Sequence, residues 1–319
     1  MRHFLNAHVP VLSLLWLVAG CGGSPHPAAP RELYNSLLNV RSLAFSPDGQ
    51  VLYGGRSLGT GERQADLLVW DSGTQKEIHA HQDSVIGLNF LGSKMLSASA
   101  DGTLKLWTPG SQSADKSFRS NRWYASLGNT SSPAVVAVLH GPGRSTFQPR
   151  RAEIEIWNLE KGEKSRVFAT PDALSLSTSQ DGSLLATSYS QPVIRLWRDD
   201  GGAAGEIADA ATVICLSPDG KTLASGGPDG ALSLWDTSTG KLRQSLPSLP
   251  QRVTAVAFSP DGSKLAAGCE GNLALYGADR ALWRNTLDSY ASPQVLAFSP
   301  NGRKLASAGP SKVLLWPEI

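Results

Sequence analysis

From residue 40 onward the chain is built of short apolar runs broken by Gly- and Pro-bearing turns, and no long stretch carries the periodicity of a helix. One run, "VTAVAF" (253–258), is followed by "KLAAG" (264–268) and "LALY" (273–276), and "KLRQSL" (241–246) has the same character. Each has the length of a strand and is closed by a turn signal, so the pattern predicts short antiparallel strands joined by hairpins. The third run of each set ends in an aromatic residue: Trp70, Trp107, Trp157, Trp197, Trp235, Tyr276 and Trp316. These anchors lie 37, 50, 40, 38, 41 and 40 residues apart. Between the first and second runs stands "SPDG", at 46–49, 217–220 and 259–262, with near copies at 299–302 and 179–182. Its Pro presets φ and its Asp-Gly supplies a chain reversal, so it reads as a hairpin that marks a repeat.

A unit of four strands and about forty residues is the size of a propeller blade, which buries its faces only against neighbours. Over residues 31 to 317 the chain resembles the WD-repeat β-propellers, with seven anchors for seven blades. The dipeptide of that family stands only at Trp70-Asp71 and Trp235-Asp236, and the other anchors are followed by Thr108, Asn158, Arg198, Gly277 and Pro317. After Trp316 the "PEI" that remains cannot make a fourth strand. Residues 31–49, "RELYNSLLNVRSLAFSPDG", line up with 240–262, so residues 32–38 are expected to supply the missing outer strand of the last blade. That pairing would close the ring and remove two exposed edges. The expected fold is an all-β, seven-bladed WD40-type propeller over residues 31–319, as a monomer.

The N-terminus has a different character. Arg2 and His3 precede an apolar run from Val9 to Ala19, which is too short to span a bilayer and has the size of a signal-peptide core. The run ends Leu17-Val18-Ala19-Gly20-Cys21, which resembles the lipobox of bacterial lipoproteins. The resemblance implies a leader over residues 1–20, a lipidated Cys21 and, with Gly22 next, sorting to an outer membrane facing the periplasm or the cell exterior. Residues 21–30, Gly/Pro/Ala-rich, read as a flexible spacer. With 29 basic and 27 acidic residues among 319, the chain has no global signature for nucleic acid, and its apolar share of 41% is that of a folded domain. Cys215 and Cys269 sit on separate repeats in strand contexts and read as buried thiols, not as a disulfide.

Blade two lies nearest to the family pattern. His81, Ser97, Asp101 and Trp107 occupy the positions of the hydrogen-bonded tetrad that the resemblance implies, a structural network satisfying a buried indole N–H. A Ser/His/Asp set also suits a hydrolase, but Ser97 lies within a strand and has no nucleophile elbow around it. No metal-ligand spacing joins His79, His81 and His140, and no cofactor is expected. The turn "DTSTGK" (236–241) is similar to one in quinoprotein propellers, but Trp235 precedes the Asp instead of following the Gly, which leaves a hairpin.

Two long connections flank blade two: 56–66 in blade one and 141–151 in blade three. By the family layout both emerge on the top face, opposite the "SPDG" hairpins. They carry Arg56, Arg63, Arg144, Phe147, Arg150 and Arg151, joined by Arg119, Arg122 and Trp123 at the start of blade three. Arg and aromatic residues together have the composition of a protein interface, and the charge sign suits an acidic partner. The expected function is a non-catalytic protein-binding scaffold, held by lipid in the bacterial cell envelope. Two alternatives stand beside it: an enzyme or small-ligand receptor using the central channel, and an assembly factor for outer-membrane proteins.

Overall fold

The computed structural model describes residues 29–35, 39–57, 64–120, 124–128, 136–140, 152–277, 281–287 and 291–319. The expected leader, Cys21 and the spacer as far as residue 28 lie outside them. Among the described residues the strands form seven four-stranded antiparallel sheets. Blade one is Val40–Phe45, Leu52–Arg56, Ala65–Asp71 and Thr74–His81, and blade two is Val85–Leu91, Lys94–Ser99, Thr103–Trp107 and Lys116–Arg119. Blade three follows with Tyr124–Leu127, Val136–His140, Glu153–Asn158 and Glu163–Ala169, and blade four with Ala173–Thr178, Leu184–Tyr189, Ile194–Arg198 and Ala203–Ile207. Blade five is Val213–Leu216, Thr222–Gly226, Leu232–Asp236 and Leu242–Leu246, and blade six is Val253–Phe258, Leu265–Cys269, Asn272–Tyr276 and Ala281–Thr286. The last sheet joins Val295–Phe298, Leu305–Ala308 and Lys312–Trp316 to an outer strand from the other end of the chain, Arg31–Asn35. The innermost strands touch in cyclic order, the last against the first.

The closing strand pairs Arg31 with Leu315, Glu32 with Leu314, Tyr34 with Val313 and Asn35 with Lys312. Glu32 and Lys312 add an ion pair at 3.3 Å. Residues 36–38, the end of the expected strand, lie outside the described residues.

Both faces of each blade are covered, which explains why the third strand of blade one reads as an unbroken apolar run. In "ADLLVWD", Leu67 and Val69 pack against Leu88 and Met95 of blade two. Leu68 and Trp70, one residue out of phase, pack against Ala306 and Val313 of blade seven. The other cores repeat this, each shared by two consecutive blades. The close approach this needs comes from small residues on the second strands, since Ala98, Ala186, Ala224, Ala266 and Ala306 are all fully buried. Hydroxyls also bond across the blade boundaries: Ser42 Oγ donates to the Val85 carbonyl at 3.4 Å, and Thr212 Oγ1 to that of Val253 at 3.0 Å.

The "SPDG" hairpins are closed by bonds between their own side chains and backbone. In the copy at 259–262, the Gly262 N–H donates to the Ser259 carbonyl at 2.8 Å and the Lys264 N–H to Ser259 Oγ at 2.9 Å. Ser259 Oγ in turn donates to the Asp261 carboxylate, which is held down at about 2 by Ser259 and Ser263. The same Ser-to-acid bond recurs at Ser46–Asp48, Ser179–Asp181 and Ser217–Asp219, and Ser299 donates in the same way to the amide oxygen of Asn301. Gly262 sits at φ 71°, a left-handed conformation that a side chain resists. The turn in blade two is shorter, with Leu91 paired directly to Lys94.

Cys215 and Cys269 are separate free thiols.

Deleting residues 31–39 removes the outer strand of the last blade and exposes the Lys312–Trp316 edge, so the melting temperature should fall by about 5–10 °C. Thermal unfolding followed by circular dichroism checks this, and an unchanged midpoint would show that the strand does not hold the ring.

Candidate functional site

In blade two the third strand buries the Trp107 indole, whose N–H needs an acceptor because leaving it bare would cost about 1–3 kcal/mol. Trp107 Nε1 donates to Ser97 Oγ at 2.8 Å, and Ser97 Oγ lies 2.7 Å from His81 Nε2. On the far side of the ring His81 Nδ1 is 2.9 Å from Thr103 Oγ1 and 3.4 Å from Asp101 Oδ2. Thr103 Oγ1 donates to Asp101 Oδ1 and therefore accepts from His81, so the network sets the Nδ1–H tautomer. The Gln82 and Thr103 backbone N–H groups also donate to Asp101, at 2.9 and 2.8 Å. The four expected residues thus meet in one chain of bonds, with Thr103 as a fifth member that sequence spacing did not single out.

Burial pushes the His81 pKa below its ordinary 6.5, outweighing the upward pull of Asp101. Burial also pushes the Asp101 carboxyl up, but bonds from His81, Thr103 and Gln82 outweigh it and hold the group below the usual carboxylate range. Ser97 is 0% exposed, so no substrate can reach it and the Ser/His/Asp set has no hydrolytic geometry.

The other anchors mostly find acceptors of their own. Trp70 Nε1 donates to Gln75 Oε1 at 3.3 Å, and Trp197 Nε1 to Thr187 Oγ1 at 2.9 Å. Trp157 Nε1 donates to Glu155 Oε2 at 2.9 Å, and Lys164 Nζ neutralises that buried carboxylate from 2.6 Å. Trp235 Nε1 donates to Ser225 Oγ at 2.9 Å, and Asp209 receives the Ser225 hydroxyl, so a carboxylate does what His81 does in blade two. Tyr276 OH donates to the Pro247 carbonyl at 2.8 Å. Trp316 alone among the anchors is held by apolar contact, stacked on Trp283 with centroids 6.2 Å apart, and its N–H has no acceptor among the described residues.

The Arg-rich surface requires a correction. Arg56 ends the second strand of blade one and is 8% exposed. Its Nη1 donates to Asp66 Oδ2 at 2.8 Å, and Asp66 Oδ1 lies 2.6 Å from Nδ1 of the exposed His79. Arg56 is therefore the inner member of a buried ion pair and offers nothing to a partner. The pairing follows from cross-strand register, since Gly55 opposes Leu67 and the next pair outward is Arg56 and Asp66. Arg119 is exposed, but it ends the outer strand of blade two instead of lying on a connection. Arg63, Arg122, Trp123, Arg144, Phe147, Arg150 and Arg151 lie outside the described residues. No group of three or more His, Cys, Asp or Glu among the described residues could hold a metal ion, and none of their helices could cross a membrane.

The profile of the family described as "WD domain, G-beta repeat" (WD40) matches residues 73–108, 207–236 and 240–276. The chain carries WD40 repeats. The first match ends at the Trp107 network and the second runs from Ile207 to Asp236, taking in Asp209, Ser225 and Trp235. Among curated proteins, the chain is 29% identical to periodic tryptophan protein 2 of Arabidopsis thaliana over 85% of its own length and 33% of that protein. It is 26% identical to autophagy-related protein 16 of the same plant, over 61% of this chain and 38% of the relative. Against small ribosomal subunit protein RACK1y of rice (Oryza sativa subsp. japonica) the identity is 35% over 31% of this chain and 30% of the relative. The chain thus spans about a third of the length of these relatives.

The sign of the His81 shift gives a prediction for this WD40 propeller. The unfolded histidine binds a proton near pH 6.5 and the folded one only at lower pH, so the stability owed to neutral His81 is complete above 6.5 and is lost as pH falls through that window. Between pH 7 and about pH 5 the melting temperature should fall more steeply in the wild type than in His81→Gln, which should be less stable at pH 7 by about 1–3 kcal/mol. Parallel slopes in thermal melts at the two pH values would mean that His81 is not the titrating group.

Proposed function

We propose that this chain is a non-catalytic scaffold that binds another protein, built as a seven-bladed ring closed by its N-terminal strand and tethered to a bacterial cell envelope through a lipid on Cys21. The observation that carries the scaffold reading is the burial of Ser97 at 0% exposure in the Trp107 network, which assigns the Ser/His/Asp set to holding a blade together. WD40 propellers bind protein partners, and the relatives' names place one in a ribosomal subunit. The tether rests on the leader pattern, an apolar run from Val9 to Ala19 ending in Ala19-Gly20-Cys21. With Arg56 withdrawn into its ion pair, the partner surface is carried by the remaining basic and aromatic residues of the connections, Arg63, Arg122, Trp123, Arg144, Arg150 and Arg151, with Phe147 among them and Arg119 beside them. Their sign favours an acidic partner, and Arg with aromatic side chains is what interface hot spots use.

Crosslinking in intact cells, followed by identification of the attached protein, tests the scaffold. Arg144→Ser, Arg150→Ser and Arg151→Ser together should lose the crosslink while leaving the melting temperature within about 2 °C, and an undiminished crosslink would overturn the surface. Cys21→Ser should move the protein from the membrane to the soluble fraction, and membrane retention would overturn the tether.

A further inference from the structure

The inner strands surround a channel, and where they run into the Ser-Pro-Asp-Gly hairpins it widens into a cavity of about 490 Å3. That is the size of a small-molecule site. Three consecutive blades line one side with the same two residue types. The triplet Phe-Ser-Pro recurs at 45–47, 258–260 and 298–300, and in each copy both the Phe and the Pro line the cavity, as does the Ala before the Phe. Blades six, seven and one are neighbours around the ring, so Phe258 and Phe298 with the prolines Pro260, Pro300 and Pro47 give one side of the cavity an apolar arc, to which Phe90 of blade two adds, while Phe45 is the most buried of these rings. Phe90, Phe258 and Phe298 are half-buried, so ring surface remains to be covered.

Opposite that arc the wall is polar but uncharged. Ser177, Thr178 and Gln180 of blade four face it, beside Cys215 of blade five. Among the described residues lining the cavity there is no Asp, Glu, Lys, Arg or His. A charged ligand would lose its hydration there and meet no counter-charge.

We propose that this cavity is a binding site for an uncharged aromatic small molecule with one hydrogen-bonding edge, its ring against the Phe-Pro arc of blades six, seven and one and its polar edge toward Ser177, Thr178 and Gln180. The site lies at the hairpin end of the channel, away from the connections proposed for the protein partner, and does not rest on that reading. Offset or edge-on aromatic contact with the phenylalanines supplies the affinity, and the polar arc sets the orientation.

The matched probes are N-phenyl-1-naphthylamine, which is neutral, and its anionic relative 8-anilino-1-naphthalenesulfonate. The neutral probe should give a saturable fluorescence rise at one site per chain, and the sulfonate should bind about tenfold more weakly or worse. Ala297→Phe and Ala257→Phe place a ring in the space, and either should weaken the neutral probe at least about tenfold with the far-ultraviolet spectrum unchanged. A second measurement uses the wild-type chain alone. Cys215 lines the cavity and burial pushes its thiol up, so alkylation by N-ethylmaleimide at about pH 8.5, followed at that residue by peptide mass spectrometry, should slow about fivefold or more with saturating neutral probe. Unsaturable binding, equal affinity for the two probes, full affinity in a folded Ala297→Phe chain, or an unprotected Cys215 would each overturn the site. If the variants do not fold, the Cys215 result decides.

Discussion

A four-stranded sheet that is apolar on both faces cannot persist in water by itself, and the rest of this structure depends on that constraint. Leu67 and Val69 need blade two while Leu68 and Trp70, on the same strand, need blade seven. Every blade makes this double demand, and a row of blades would leave two faces bare at its ends. A ring leaves none. The pairing of Arg31–Asn35 with Lys312–Trp316 therefore does more than add a strand, because it ties the two ends of the row together at the place where the row would otherwise open.

The aromatic anchors show how one packing problem admits several solutions. A large ring at the end of the third strand fills the gap between blades, but an indole brings an N–H into a dry place, where it must find an acceptor. Blade two answers with Ser97, His81, Thr103 and Asp101, blade three with Glu155 neutralised by Lys164, blade four with Thr187, and blade five with Ser225 and Asp209. The repeated element is the need for an acceptor, and the residue supplying it is free to vary. That freedom is why the repeat is degenerate in letters and regular in period.

The hairpins carry a second economy. The Ser of each "SPDG" closes the turn through its own hydroxyl and the Asp folds back on that hydroxyl, while turn carbonyls such as those of Gly49 and Pro218 accept from neighbouring blades. Its Pro is then free to face the channel. A residue chosen locally for its φ becomes, by repetition around an axis, part of a continuous apolar wall, and the Phe two residues earlier joins it. The hydroxyls and carboxylates of these turns thus face one another while their prolines face a shared space.

What the sequence determined by itself was local. The strand "VTAVAF" spans Val253–Phe258 as expected, the hairpins fall at the Ser-Pro-Asp-Gly copies, and the need for an outer strand from the N-terminal end could be counted once Trp316 was seen to end the last set. These depend on side-chain alternation, turn stereochemistry and hydrogen-bond demand within a few residues. The blade-two network was legible through the family resemblance, with Ser97, Asp101 and Trp107 on one hairpin and His81 at the end of the outer strand of blade one. The rest was decided by tertiary structure. Arg56 looked like a loop cation until the fold set it in an ion pair with Asp66, and only the fold brings Glu155 under Trp157 beside Lys164. The Phe-Pro arc draws on residues more than two hundred positions apart, Phe45 and Phe298 lining one cavity, and no local rule brings them together. Closure of the ring does so, because only when the last blade meets the first do the same two positions of separate repeats come to face one axis.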